Sequence, residues 1–283
     1  MVKIKTKELL SRLNQKIDSV QNSDEFKKIL KTLSKFHNYS YQNSILIRQQ
    51  NPEATLVAGF KQWQNNFDRH VKKGEKAIAI LAPFTYKKTV TEEKEVKGGI
   101  KEVEKEVKRM YFRPVYVFDV SQTEGKPLPR IDITVKDSND KLLLPLKKFL
   151  QSKEISLEIK ELKRGLKGYS KGGKIVVDKK LNDTEKAGVI VHETAHELLH
   201  DKGSRKKMSK EIKEMEAEAA AFIVMEHYGV EIKSDKYLAL YKKSYDLNQS
   251  LKRISKIASE IIGFLDDYLL NKSSENKKLK EVV

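Results

Sequence analysis

The chain has 283 residues, 39% of them hydrophobic and 34% charged, enough for two modules with separate cores and too rich in apolar clusters to be disordered throughout. It has no cysteine, which excludes disulfides, thiolate nucleophiles and Cys-ligated metals and leaves His, Asp and Glu as the strong ligands. Lys and Arg exceed Asp and Glu by 57 to 40, with a net +11 in residues 1–130 and +6 in 131–283, so a polyanionic partner is expected mainly for the first half.

Leu9, Leu13, Ile17 and Val20, and then Phe26, Ile29, Leu30, Leu33 and Phe36, recur at helical spacing and predict two amphipathic helices. Ser40 offers an N-cap for a third, which should end near Asn51-Pro52 because proline disfavours helix at the residue before it. Residues 76–83 and 110–118 read as strands, joined by a long solvated hairpin over 85–109 whose Lys and Glu nearly balance. No chemistry is attached to that hairpin.

Residues 121–141 collect three Asp, two Pro and a Gly, the composition of a linker. The division expected is therefore a first domain over 1–125, a linker over 126–140 and a second domain over 141–283. The second should contain a helix over 141–152, a strand near 154–160, a glycine-rich hairpin from Gly168, a strand over 174–178, and helices over 184–201 and 209–228 with further helix to about 270. The class is α+β. No 18-residue apolar run predicts a membrane span, and the segment after Met1 lacks the apolar core of a secretory signal, so the expectation is a cytoplasmic protein with no membrane partner.

The segment His192-Glu193-Thr194-Ala195-His196 is an HExxH motif. Two histidines four apart project from one helix face and can reach a single zinc ion, with Glu193 beside the open position. Asn182-Asp183-Thr184-Glu185 supplies a capping cluster for this helix. A third ligand is sought in Glu214, Glu216 and Glu218 on the next helix. Glu214 and Glu218 lie one turn apart on one face, whereas Glu216 points about 200° away from Glu214. Glu214 is the expected ligand, Glu218 the hydrogen-bond partner of a liganding imidazole, and Glu216 is expected to face solvent. His200 sits about 12 Å from His192 by helical rise, too far to share the ion, and is kept as a possible substrate contact.

Glu193 is the expected general base and later general acid in amide hydrolysis. The strand from Ile175 to Val177 is a candidate edge for binding extended peptide, and Tyr169 a candidate for polarising the carbonyl. In the basic half, Lys72, Lys73 and Lys76 around a glycine turn can meet phosphates, and Tyr39, Tyr41, Phe60 and Trp63 can stack on unpaired bases. Gln42 and Asn43 offer hydrogen bonds to a base or phosphate.

The stretch from Gly168 through HETAHELLH to Glu214-Met215-Glu216-Ala217-Glu218 resembles the ImmA/IrrE branch of gluzincin metallopeptidases over about residues 145–235. That resemblance implies a zincin-like fold with Glu214 as third ligand, and places Glu218 where the family has Asp or Asn. Tyr39-Ser40-Tyr41-Gln42-Asn43, Phe60-Lys61-Gln62-Trp63, the segment 71–76 and the segment 117–125 resemble the N-terminal single-stranded-DNA-binding domain of ArdC-type antirestriction proteins. Those proteins join the same two modules, travel on mobile elements such as plasmids, and shield incoming DNA from restriction.

Together the expectation is a helix-rich zinc metallopeptidase with a small sheet behind a basic α+β DNA-binding module, with single-stranded DNA and a protein of unidentified nature as partners. Two rivals remain: a non-catalytic DNA-protecting protein with structural zinc, and a regulatory protease that cleaves a repressor.

Overall fold

The structure, a computed structural model, describes residues 5–18, 20, 23–96, 99–128, 141–199, 208–230 and 246–280, with the backbone alone at 18, 23, 93–96, 99–103 and 273–280. His200 and most of the expected linker, 129–140, lie outside the described residues. The chain forms two compact units, one of residues 1–15 and 46–126, the other of residues 16–45 and 127–283.

The first unit takes most of helix α1 (Thr6–Asp18), the second half of α3 (Tyr41–Gln50), strand β1 (Val57–Gly59), helix α4 (Phe60–Phe67), and strands β2 (Arg69–Val71), β3 (Ile78–Val96), β4 (Gly99–Asp119) and β5 (Thr123–Gly125). The first sheet runs β1-β4-β3, all antiparallel, and β2 pairs with β5. The segment read as a solvated hairpin is ladder throughout, from Ile78 opposite Val117 to Val96 opposite Gly99. Ile78, Ala79, Ile80, Leu81, Val117 and Phe118 at its base are buried. At the edge strand β3, the Gln50 amide takes a hydrogen bond from Ala79 N and donates one to Ala79 O, at 2.9 and 2.8 Å, occupying backbone groups that would otherwise lack partners. Trp63 is fully buried, its indole N–H donating to Phe118 O at 2.9 Å.

The second unit holds α2 (Ser23–Lys35), α5 (Leu143–Ser152), β6 (Ser156–Lys160), β7 (Gly168–Ser170), β8 (Lys174–Asp178), α6 (Asp183–Leu199), α7 (Lys210–His227) and α8 (Leu247–Lys280). Its sheet runs β6-β8-β7, with β6 parallel and β7 antiparallel to β8. Strand β8, expected to offer an edge for peptide, is the central strand and is paired on both sides. Ile175, Val176 and Val177 of β8 and Ile190, Val191 and Ala195 of α6 are buried together in the core of this unit. Asn182 caps α6 reciprocally with Glu185, its Oδ1 accepting Glu185 N at 2.9 Å and Glu185 Oε2 accepting Asn182 N at 3.2 Å.

Helix α7 is buried on every side from Met215 to Met225, packed against α6, α8 and α2. A helix without a polar face is a core helix. Its alanines 217, 219, 220 and 221 let the neighbours approach closely. This overturns the expectation for Glu216, which is completely buried and paired with Arg253 of α8, while Ser250 Oγ donates to its Oε1 at 2.6 Å. Both faces of α7 are covered, so the face opposite Glu214 meets α8 instead of water. Removing the guanidinium would strand a buried carboxylate. Arg253→Met should therefore lower unfolding free energy by about 3 kcal/mol in denaturant titration, whereas Lys87→Met, from the exposed pair with Glu106, should leave the midpoint nearly unchanged.

Candidate metal centre

Helices α6 and α7 bring three ligand atoms to one point. His192 Nε2 and His196 Nε2 are 3.1 Å apart, and Glu214 Oε2 lies 3.6 and 3.5 Å from them. The imidazole side chains are 16% exposed and Glu214 is 29% exposed, so the site is sheltered but open on one side. Donor atoms bound at about 2.1 Å to a tetrahedral ion stand about 3.4 Å apart, so the triangle fits one divalent cation with a position left for water.

Glu218, one turn beyond Glu214, places Oε2 3.1 Å from His192 Nδ1. The carboxylate holds the ring hydrogen on Nδ1 and turns the Nε2 lone pair toward the shared point. His196 Nε2 faces the same point from the next turn. Three electron-rich atoms at such spacing repel unless a cation or a proton lies among them. In the ion-free protein protons do this work. Burial pushes the His192 pKa down, but hydrogen bonds donated by its ring to Glu214 and Glu218 outweigh it and raise it to about 9. The same contacts with His192 and His196 hold the Glu214 carboxyl well below the usual range.

Glu193, close enough to His192, His196 and Glu214 to feel their charges, behaves oppositely to Glu214. Burial pushes its pKa up, only partly offset by the charges of His192 and His196 and a hydrogen bond from the Ser170 side chain on β7. A carboxyl raised in this way holds its proton more readily than an ordinary glutamate. β7 can lie this close because residue 168 is glycine: a Cβ there would stand 2.5 Å from Val189 Cγ1 and 3.8 Å from Glu193 Cγ.

Glu197, absent from the sequence reading, fixes the turn after β7. Its carboxylate accepts Gly172 N and Gly173 N at 3.1 and 2.8 Å, and both glycines have positive φ, 54° and 82°. The available signal was its place one residue after His196, facing a glycine pair whose partner could not be read from spacing. Tyr169, also on β7, is 36% exposed and opposite Val176.

The residues proposed for nucleic acid are divided between the two units. Trp63 is core, and Tyr41 is 7% exposed with its hydroxyl on Asn248 Oδ1 at 3.2 Å, so neither ring face is available for stacking. Asn43 is buried, while Gln42 and Tyr39 are half-buried. Residues 39–43 belong to the second unit, Trp63 and the lysines to the first. Lys73 and Lys76 are exposed; Lys72 is half-buried, with Nζ 3.9 Å from Glu75. What the sequence reading missed is an aromatic and basic band on one face of the β3–β4 ribbon. Phe84 and Tyr86 of β3 share it with Arg109, Tyr111 and Arg113 of β4, the rings of Tyr86 and Tyr111 being 5.7 Å apart and the Arg113 guanidinium 3.4 Å over Phe84. Tyr86 and Tyr111 are 49% and 44% exposed. The signal was the alternation of FTYKK against RMYFR, hidden beside the Lys/Glu runs.

Residues 3–118 match the family model described as the N-terminal domain of anti-restriction factor ArdC. An uncharacterized protein of Bacillus anthracis is 28% identical over 323 aligned residues, which cover 99% of this chain and 54% of that protein, so the chain spans about half the length of the curated relative it matches. Among solved structures, the metal-free antirestriction ArdC protein from plasmid R388 aligns with a TM-score of 0.45 and 16% identity over 82% of this chain and 86% of that one. The Mn(II)-bound form of that protein gives 0.37 and 18%, over 81% and 88%. The N-terminal segment thus carries an ArdC-type sequence signature.

Because the ion must displace a proton from His192, metal affinity should rise by about tenfold per pH unit as pH increases toward 9 and level off above it, as read by titration calorimetry in buffers of different protonation enthalpy. Glu218→Gln, which keeps the shape but removes the charge behind His192, should weaken binding by about 10–100-fold.

Proposed function

We propose that this chain is an ArdC-type antirestriction protein, with a basic module that binds single-stranded DNA and a zinc centre that hydrolyses peptide bonds of a protein substrate. The observation that carries the enzymatic half is the triangle of His192, His196 and Glu214 with Glu193 adjoining it on the same helix. Two imidazoles and one carboxylate suit zinc among the divalent ions. A bound ion supplies Lewis acidity and lowers the pKa of its water to near neutrality.

The chain's own residues supply the rest. Glu193, desolvated and next to the liganding histidines, accepts a proton at its carboxylate and returns it to the departing amine. Glu218 keeps the His192 lone pair directed at the ion. The strand available to an extended peptide is β7, which is paired on one side by β8 and held against α6 by Gly168 and by Glu197; main-chain pairing there would lay a carbonyl beside Glu193, with Tyr169 on the same strand.

Support for the DNA half comes from the match of residues 3–118, the +11 net charge of residues 1–130 and the exposed aromatic and arginine band on β3 and β4. Aromatic rings stack on any unpaired base and the guanidinium groups meet phosphates. Lys73 and Lys76 extend the basic surface of the same unit.

Glu193→Gln should reduce proteolysis by about 10²–10⁴-fold while metal content and oligonucleotide affinity stay unchanged. Full protection of DNA by that variant in an otherwise functional restriction assay would make the ion structural and the protein a passive coat. A variant with Tyr86→Ala and Tyr111→Ala should bind a single-stranded oligonucleotide more weakly by about 1–3 kcal/mol per ring lost. Equal affinity of that variant, or a preference of the wild type for duplex, would remove the band from the binding surface.

A further inference from the structure

Beyond the triangle on α6 and α7, a second set of ligand-type side chains converges at the opposite end of α7. His37 comes from the turn after α2, His227 is the last residue of α7, and Asp266 lies on α8. Thirteen residues separate His227 from Glu214 along one helix, about 20 Å of rise, so the two clusters cannot share an ion.

The donor set, two imidazoles and one carboxylate, repeats that of the first cluster. Asp266 Oδ2 stands 3.4 Å from His227 Nε2 and 3.8 Å from His37 Nε2, and the two imidazoles meet edge to face with centroids 4.6 Å apart. The side chains are 10%, 18% and 20% exposed for His37, His227 and Asp266. The ligand atoms all lie within 4.8 Å of one another, close enough to gather on one ion bound at about 2.0–2.2 Å with small side-chain adjustments.

The surrounding hydrogen bonds select a lone pair at the centre. His227 Nδ1 lies 3.1 Å from the carbonyl oxygen of Ser34, which can only accept, so the ring hydrogen sits on Nδ1 and the Nε2 of the neutral ring presents its lone pair to Asp266. The Tyr228 hydroxyl donates to Asp266 Oδ1 at 2.8 Å, holding the carboxylate and leaving Oδ2 toward the two rings. An imidazole lone pair aimed at a carboxylate oxygen at this distance is repulsive until a proton on Nε2 or a shared cation lies between them. This outer arrangement, a carbonyl behind one imidazole and a hydroxyl on the non-ligating carboxylate oxygen, is what metal sites use to fix their ligands.

We propose that His37, His227 and Asp266 bind a second divalent cation that ties the turn after α2 and helix α8 to the C-terminal end of α7. Its role is structural: it fastens the far end of the helix that carries Glu214 and Glu218. Ser259 Oγ of α8, which bonds the carbonyl oxygen of His37, holds the same turn from a second point.

The test uses the full chain at constant pH. Wild-type protein dialysed against micromolar Zn²⁺ should retain two equivalents by elemental analysis. A variant carrying His192→Asn and His196→Asn, which removes the first cluster and leaves the second intact, should retain one equivalent, bind Co²⁺ with visible d–d absorption, and gain thermal stability on adding Zn²⁺. Adding Asp266→Asn, which preserves size and the Tyr228 contact, should abolish that stabilisation and weaken Co²⁺ binding at least tenfold. No ion in the first variant, with its circular dichroism unchanged, overturns the proposal in favour of a protonated imidazole at this site. Equal metal uptake after Asp266→Asn overturns it as well. Loss of the first centre alone would appear as one equivalent in wild type that persists in the variant lacking His192 and His196, so the two proposals fail separately.

Discussion

Convergence of three electron-rich atoms, His192 Nε2, His196 Nε2 and Glu214 Oε2, at 3.1–3.6 Å, which demands positive charge among them, is the constraint on which the site in the second unit depends. Side chains free to choose would separate. They are held together because α6 is capped by Asn182 and Glu185, and because the alanines of α7 allow that helix to seat deeply between its neighbours. Positive charge between them makes the arrangement favourable: a proton in the ion-free chain, and a divalent cation under the proposed function. Marginal stability of domains makes such an arrangement costly unless the scaffold over-determines it.

Four glutamates on two adjacent helices illustrate how surroundings assign roles to identical side chains. Glu214 is held ionised by two histidines, and Glu193, three residues before His196, is pushed toward the neutral form by burial. Glu218 fixes a tautomer. Glu216, on the opposite face, is neutralised by Arg253 and anchors α8. Two carboxylates are thereby driven apart in acidity, one held ionised and one pushed toward the protonated form. On the other side of the centre, Gly168 and the Glu197 clamp bring an edge strand within reach without a side chain intervening.

The parts of this site that were legible in the sequence are those encoded within a single helix. The i, i+4 spacing of His192 and His196 and the one-turn spacing of Glu214 and Glu218 place each pair on a face, and the capping residues mark where α6 begins. What crosses between elements was not legible. Periodicity placed Glu216 opposite Glu214 and so toward solvent, but its partner Arg253 is 37 residues onward on a helix whose position no local rule supplies. Trp63 and Tyr41 were read as stacking platforms by residue type, yet their hydroxyl and indole groups are spent on Asn248 and Phe118. The hairpin between 85 and 109 was legible as a pair of strands, but its run of Lys and Glu masked the aromatic face of Phe84, Tyr86 and Tyr111. β8 was recognised as a strand, but not its central place, since sheet order depends on pairings outside the segment. His37, His227 and Asp266 share no motif; only the fold brings them together.

The account rests on the cluster at the HExxH helix being a cation site. Crystals of the protein grown with zinc and measured at wavelengths on both sides of the zinc absorption edge give the most direct answer. An anomalous peak about 2.0–2.2 Å from His192 Nε2, His196 Nε2 and one Glu214 oxygen is the predicted result. Clear density for those three side chains with no anomalous signal between them, at zinc concentrations well above the protein's, would contradict it.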